Sequence, residues 1–157
     1  MTTISLAGKA VVVTGAGRGL GQAMTLGFLG AGASVTAVEI DDEALKETVA
    51  LAERRALADR ILAVAADVTD TASATSVMRR TFDRFGKVSV LINNAAVGPQ
   101  FFYQTNTRPR PRIWEADLTL WKRTIEVNAT GPFVMTCAAL PHMFAQDWGR
   151  VVNVTTS

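Results

Sequence analysis

Two groups of residues in this 157-residue chain have the types and spacing to do chemistry. The first is the run Thr14-Gly15-Ala16-Gly17-Arg18-Gly19-Leu20-Gly21, which follows the apolar stretch Ala10-Val11-Val12-Val13. Gly15 permits a tight turn where a side chain would clash. Gly19 and Gly21 let the backbone approach a pyrophosphate and let the next helix pack on the strand. The unpaired N–H groups and partial positive charge of that helix N-terminus then favour phosphate. Glycines also cluster in ordinary turns, so the context matters: a strand before and a helix after are what dinucleotide binding requires. An acidic residue is expected about 20 residues on, at the end of the second strand, and Glu39 stands there. Its carboxylate can accept from both ribose hydroxyls and would repel a 2′-phosphate, which selects NAD and disfavours NADP. Arg18 argues the other way, since a base in the glycine turn can serve a 2′-phosphate. Glu39 decides, because it faces the 2′ position directly and with like charge. Asp67, after the third strand, could accept from an adenine amino group, or be only a loop residue or helix cap.

The second group surrounds Asn128. Pro132, four residues on, has no N–H to give the Asn128 carbonyl, and its ring presses against that carbonyl. A kinked helix with a free Asn128 carbonyl is expected here. A kink that serves packing alone is the alternative.

The elements that must position these residues alternate. Strands are predicted at Ala10–Thr14, Ser34–Glu39, Ile61–Ala66, Val88–Ile92 and Val151–Thr155. The first is a continuous apolar run, as in a strand buried on both faces. Helices are predicted at Gly19–Leu29, closed by Gly30 and Gly32, and at Asp42–Leu57, capped by Asp41 or Asp42. Two more are predicted at Thr71–Phe85, with Asp70 or Thr71 as N-cap and Gly86 past its end, and at Leu118–Phe144. Strands alternating with helices of this length imply βαβ units and a doubly wound parallel sheet. Gly98–Glu115 breaks the rhythm: Pro109 and Pro111 alternate with Arg108, Arg110 and Arg112, which excludes a helix or central strand. It reads as a long irregular loop. Phe101, Phe102 and Tyr103 within it either line a substrate pocket or anchor the loop.

Together these pieces resemble the short-chain dehydrogenase/reductase family. The matching segments are Thr14–Gly21, Asp67-Val68, Asn93-Asn94-Ala95-Ala96, Asn128 and Gly149-Arg150-Val151-Val152-Asn153-Val154, in the family's order and at about its spacing. They cover essentially the whole chain except the Gly98–Glu115 loop; Ala96 stands where the family has glycine. The resemblance implies an α/β fold, a doubly wound parallel sheet (Rossmann-like), incomplete at the C-terminal end. Residues 1–157 would form a single dinucleotide-binding domain lacking the family's C-terminal strands and substrate loop.

The implied activity is hydride transfer between nicotinamide and a carbonyl or alcohol substrate, with NAD as cofactor. Gly15, Leu20, Glu39, Asp67, Val68, Asn94 and Ala95 would line the NAD site, with Arg18, Gly19 and Gly21 in the phosphate turn. The family's catalytic set is Asn, Ser, Tyr and Lys. Asn128 matches the first, its carbonyl implied to hold a water in a proton relay. Counting from Gly149-Arg150 puts Thr156 in the serine register, with Ser157 one residue later, so either supplies the hydroxyl. No Tyr and Lys four residues apart follow within the chain, and Tyr103, the one tyrosine, lies far upstream. The 157-residue chain alone is therefore expected to be inactive. The family pairs subunits through the long helix carrying Asn128, so the complete protein is expected to be a homo-oligomer. Two alternatives remain: a dinucleotide-binding module or truncated remnant without catalysis, and a partner that completes its sheet with another chain.

Bulk properties agree with a globular protein. Hydrophobic residues make up 48% and charged residues 19%, with net charge +2. That composition argues against disorder, and a chain of this length buries roughly 70% of its unfolded surface. The small positive excess points to no nucleic-acid partner. The N-terminus shows no signal-peptide pattern and no run of about 18 apolar residues exists, so neither secretion nor a membrane span is expected. With Cys137 the only cysteine, no intrachain disulfide can form, and a cytoplasmic location is expected. Cys137 reads as a small core residue, and Trp114 and Trp121 as packing residues. His142, the one histidine, has no partner in sequence for catalysis, and no His or Cys pair has metal-ligand spacing.

Overall fold

The computed structural model describes residues 5–98 and 112–155. Apolar runs form most of the strands, and aspartates start three of the helices between them. The strands are β1 (Ala10–Thr14), β2 (Ser34–Glu39), β3 (Ile61–Ala65), β4 (Val90–Asn93) and β5 (Arg150–Asn153). The helices are α1 (Gly19–Gly30), α2 (Asp42–Arg54), α3 (Thr71–Phe85), α4 (Leu118–Ile125) and α5 (Gly131–Ala145). The sheet order is β3-β2-β1-β4-β5, every pair parallel. The order reverses between β1 and β4, and the crevice at the C-terminal ends of such strands is where open α/β sheets bind ligands.

Alternation along β1 divides the core between the two sheet faces. Val12 packs with Val38, Val77, Met78, Leu91 and Met135. Val11 and Val13 point the other way, to Leu29, Val35, Leu45 and Ile92. Each fully buried valine of this kind contributes about 1.5–3 kcal/mol.

The starts of α2 and α3 follow the predicted chemistry, and α4 has an aspartate cap that the sequence reading did not name. Asp41, Asp70 and Asp117 cap α2, α3 and α4, their carboxylates accepting from Ala44, Ser73 and Thr119 N–H respectively. Gly86 closes α3 in the left-handed region, φ +73°.

Several boundaries differ from expectation. α2 ends at Arg54 rather than Leu57, because Ala56 takes a positive φ of 55° and turns the chain into a short 3₁₀ segment, Ala58–Arg60. β4 and β5 lie one or two residues from their predicted spans, since the pairing runs from Val90 with Arg150 to Asn93 with Asn153. The long helix is not continuous. It is interrupted by a π turn over Glu126–Thr130, in which the Gly131 N–H donates to the Glu126 carbonyl. This is the expected irregularity around Asn128, taking the form of a widened turn, with Pro132 in the first turn of α5.

Three side chains sit outside where they were expected. Cys137 is exposed: α5 buries Gly131, Met135, Ala139 and Met143, four residues apart, and Cys137 falls on the opposite face. Trp114 and Trp121 are 72% and 45% exposed. Of the Gly98–Glu115 loop, residues 99–111 lie outside the described residues; Ile113–Glu115 forms one 3₁₀ turn. Phe101, Phe102 and Tyr103 fall in that undescribed stretch, as do Arg108 and Arg110.

Candidate functional site

The glycine turn leaves β1 at Thr14 and enters α1 at Gly19. Gly15 has φ +65°, and a methyl group on Gly21 would overlap the Gly15 carbonyl oxygen. Glycine at these two places is therefore a steric requirement of the turn. The turn's carbonyls are engaged from the side: the Thr48 hydroxyl of α2 donates to the Ala16 carbonyl at 3.0 Å, and the Gln22 amide donates to the Gly17 carbonyl at 3.1 Å. The α1 N-terminus differs from those of α2, α3 and α4. Each of those is capped by an aspartate side chain, whereas α1, among the described residues, has no side-chain cap. Its partial positive charge is thus left for an external anion.

Asn94 anchors the other side of the crevice. Its side-chain amide donates to the Thr14 and Gly15 carbonyls at 3.0 and 3.3 Å. The buried Thr14 hydroxyl accepts from the Asn94 and Ala95 N–H groups, each at 3.0 Å. These bonds lock the ends of β1 and β4 together. Asn94 acts on the turn itself rather than presenting a spare donor.

Glu39 ends β2 and points back at the turn. One carboxylate oxygen accepts from the Gly17 N–H at 3.1 Å, and the other from the Ile40 and Asp41 N–H groups at 2.8 and 3.3 Å. Arg18 does not point at a vacant anion site: it pairs with Asp41. Asp67 follows β3. Its Oδ1 accepts from the Thr69 N–H and hydroxyl at 2.9 and 2.8 Å, and its Oδ2 from Arg123 at 3.2 Å. Partial burial pushes the Asp67 carboxyl up, but the Thr69 donors and the Arg123 guanidinium together hold it below its ordinary value.

These residues line one cleft of about 530 Å³. It brings together Gly15, Arg18, Leu20, Gly21, Glu39, Asp67, Val68, Asn94 and Ala95 from the sequence reading. Gly19 is outside the lining, in a neighbouring shallow depression with Gln22 and Glu43. Asn128 is also outside it, and acts through its neighbour. The Asn128 carboxamide accepts from the Val97 N–H at 2.8 Å and donates to the Val97 carbonyl at 3.0 Å. That two-bond clamp ties the π turn to the cleft wall, which Val97 forms. Thr156 and Ser157 lie outside the described residues.

The reading from sequence missed Ile40, Asp41, Arg123 and Val127 in the lining. Ile40 and Asp41 adjoin Glu39 and were open to the same argument. Arg123 carried no local signal of a place in the cleft, because Asp67, its partner there, is 56 positions away.

The cleft fits a dinucleotide by its own features. An uncapped helix N-terminus, close-packed glycines and three carboxylates, Glu39, Asp41 and Asp67, meet at the point where the strand order reverses. Comparison with known proteins agrees. The short chain dehydrogenase family profile matches residues 9–157. A short chain dehydrogenase/reductase of Macrophomina phaseolina (strain MS6) is 37% identical over 154 residues, 97% of this chain and 82% of that protein. The 2-(R)-hydroxypropyl-CoM dehydrogenase of Xanthobacter autotrophicus is 32% identical over 94% of this chain and 56% of that protein. A crystal structure of NAD+-bound xylitol dehydrogenase superposes with a TM-score of 0.82 at 26% identity, over 94% of this chain and 52% of that one. Against the last two, the chain spans about half the relative's length. Sequence, fold and cleft converge on one conclusion: this chain belongs to the short chain dehydrogenase family.

Proposed function

We propose that this chain is the dinucleotide-binding part of an NAD-dependent oxidoreductase acting on a small carbonyl or alcohol substrate. The observation that carries the reading is the Glu39 carboxylate, set at the end of β2 against the Gly17 N–H and beside the uncapped start of α1. The α1 N-terminus would hold the pyrophosphate, Glu39 the ribose hydroxyls and Asp67 the adenine amino group. When bound, NAD supplies the acceptor, or NADH the donor, of a hydride. A 2′-phosphate would meet the Glu39 charge, and Arg18 would have to leave its surface pair with Asp41 to offset it. The resemblance of the fold to NAD+-bound xylitol dehydrogenase supports the same cofactor.

Asn128 has its side chain committed to Val97, so its part in a proton relay rests on its main-chain carbonyl and an ordered water there. Thr156 or Ser157 would hold the substrate oxygen. We further assign residues 1–157 to one dinucleotide-binding domain and place the protein in the cytoplasm, without nucleic-acid or membrane partners. Among the described residues no helix is long and apolar enough to cross a membrane. Trp121, Ile125 and Phe133 leave an apolar row exposed on α4 and α5, which suits homo-oligomer formation by the complete protein.

Calorimetric titration with NAD and NADP tests the reading. NAD is expected to bind at least about tenfold more tightly, since Glu39 offers charge-assisted hydrogen bonds to one and repulsion to the other. Equal affinities would overturn the cofactor assignment, and no binding would overturn the site. Turnover is expected to be absent from the chain alone, because the acid–base step, worth roughly 10² to 10⁴ in rate, needs the Tyr and Lys that the family supplies. Formation of reduced nicotinamide by the pure chain with an alcohol substrate would contradict that.

A further inference from the structure

Arg123 is a cation in the wall of the cleft, brought there from α4. Its guanidinium is held at both ends. One nitrogen donates to Asp67 Oδ2 at 3.2 Å and the other to Glu126 in the π turn, also at 3.2 Å. An ionised carboxylate has about four acceptor positions. On Asp67, Thr69 fills two on Oδ1 and Arg123 fills one on Oδ2. Among the described residues, one position on Oδ2 is left, on the residue that lines the cleft. Thr69 holds Oδ1 from within the same loop, and Arg123 is the partner that holds Oδ2, fixing the rotation of the carboxylate from the opposite side.

The polarity of this arrangement is specific. A carboxylate only accepts and a guanidinium only donates. A ring edge that carries an amino group beside a ring nitrogen complements the pair. A ring edge with a carbonyl oxygen in place of the amino group meets the carboxylate oxygen with like partial charge. We infer that Arg123 is a specificity-determining positioning residue: by orienting Asp67 Oδ2 as an acceptor, it makes the cleft select a 6-aminopurine dinucleotide over its 6-oxopurine counterpart. The inference rests on the dinucleotide reading of the cleft.

The experiment compares NAD with nicotinamide hypoxanthine dinucleotide, in which the amino group is replaced by oxygen, by equilibrium titration of the chain. The unsubstituted chain is expected to prefer NAD by about tenfold or more. Arg123→Met keeps the aliphatic stem and removes the donors, and is expected to cut the preference to about threefold or less. Arg123→Lys, which keeps a charge and a donor, is expected to restore part of it; loss of packing alone would not be rescued in this way. If R123M fails to fold by circular dichroism, Glu126→Ala, which removes the acceptor on the other side of the guanidinium, is expected to lower the ratio by a smaller factor. An unchanged ratio in R123M, or in E126A where R123M does not fold, overturns the inference while leaving NAD binding intact. Failure of the unsubstituted chain to bind either dinucleotide would overturn the underlying reading and this inference with it.

Discussion

β1 and β5 are parallel strands of one sheet, both rich in valine, yet they live in opposite environments. Every residue of β1 is buried, whereas Arg150, Val152 and Asn153 of β5 are exposed and Val151 is half-buried. β1 has a neighbour on each side and helices on both faces; β5 pairs only with β4 among the described residues. The contrast extends to what the strands carry. The turn after β1 is supported by Thr48, Gln22, Asn94 and Glu39. The region around β5 and the outer face of α4 and α5 leaves Val152, Trp121 and Phe133 in contact with solvent. The supported cleft and the solvent-exposed apolar faces are therefore separate regions of this fold. The cleft is held by contacts within residues 14–97 together with Arg123 and Asn128, whereas Val152, Trp121 and Phe133 lie outside it.

The strongest way to break this contrast is at Gly21. Gly21→Ala drives a methyl group into the Gly15 carbonyl and is expected to cost about 3 kcal/mol in urea denaturation, with loss of NAD binding. Gly27→Ala, on the same helix with no atom within 4 Å among the described residues, should instead gain about 0.5–1 kcal/mol. Similar behaviour of the two variants would refute the steric role given to Gly21.

A smaller effect is expected at the ribose end. Glu39→Ser should lower NAD affinity about tenfold and narrow the gap to NADP. Adding Asp41→Asn releases Arg18 from its ion pair and should improve NADP binding further; if NADP affinity does not rise in the double variant, Arg18 has no part in cofactor choice.

On the β5 side, Val152→Lys places a charge on an exposed edge position. It should reduce self-association in sedimentation analysis while changing stability by no more than about 0.5 kcal/mol. Unchanged association would show that this edge is not the sticky surface.

The smallest expected effect is the acid response of Asp67. Its carboxyl is held below the ordinary value of 3.8, so its stabilising contacts are fully present above that value. They are lost as pH falls through the lowered one. The difference in melting temperature between the unsubstituted chain and Asp67→Asn should be constant between about pH 7 and pH 5 and shrink below the ordinary carboxylate range. A difference that changes near neutrality would point to another titrating group.

How much of this was legible beforehand depends on the distance between partners. Strand order along the chain, the aspartate caps and the glycine turn are local, and each appears where propensity and capping chemistry require. The π turn was legible only as an irregularity, because Pro132 removes a donor without saying which register the backbone then adopts. Cys137 was misjudged because an apolar helix stretch does not reveal which face meets the sheet. Asn94 was placed at the right crevice, but its commitment to the Thr14 and Gly15 carbonyls follows from two strand ends meeting 80 residues apart.

By itself, the sequence determined the alternation of strands and helices, the anion-favouring turn after β1, and an acid at the end of β2. Those features depend on steric and hydrogen-bonding rules acting within a few residues, so type and spacing suffice. Tertiary structure alone decided that Arg18 is occupied by Asp41, that Arg123 reaches Asp67, and that Asn128 clamps Val97. Each depends on helix rotation and strand register, which are set by burying both faces of the sheet at once rather than by any one segment.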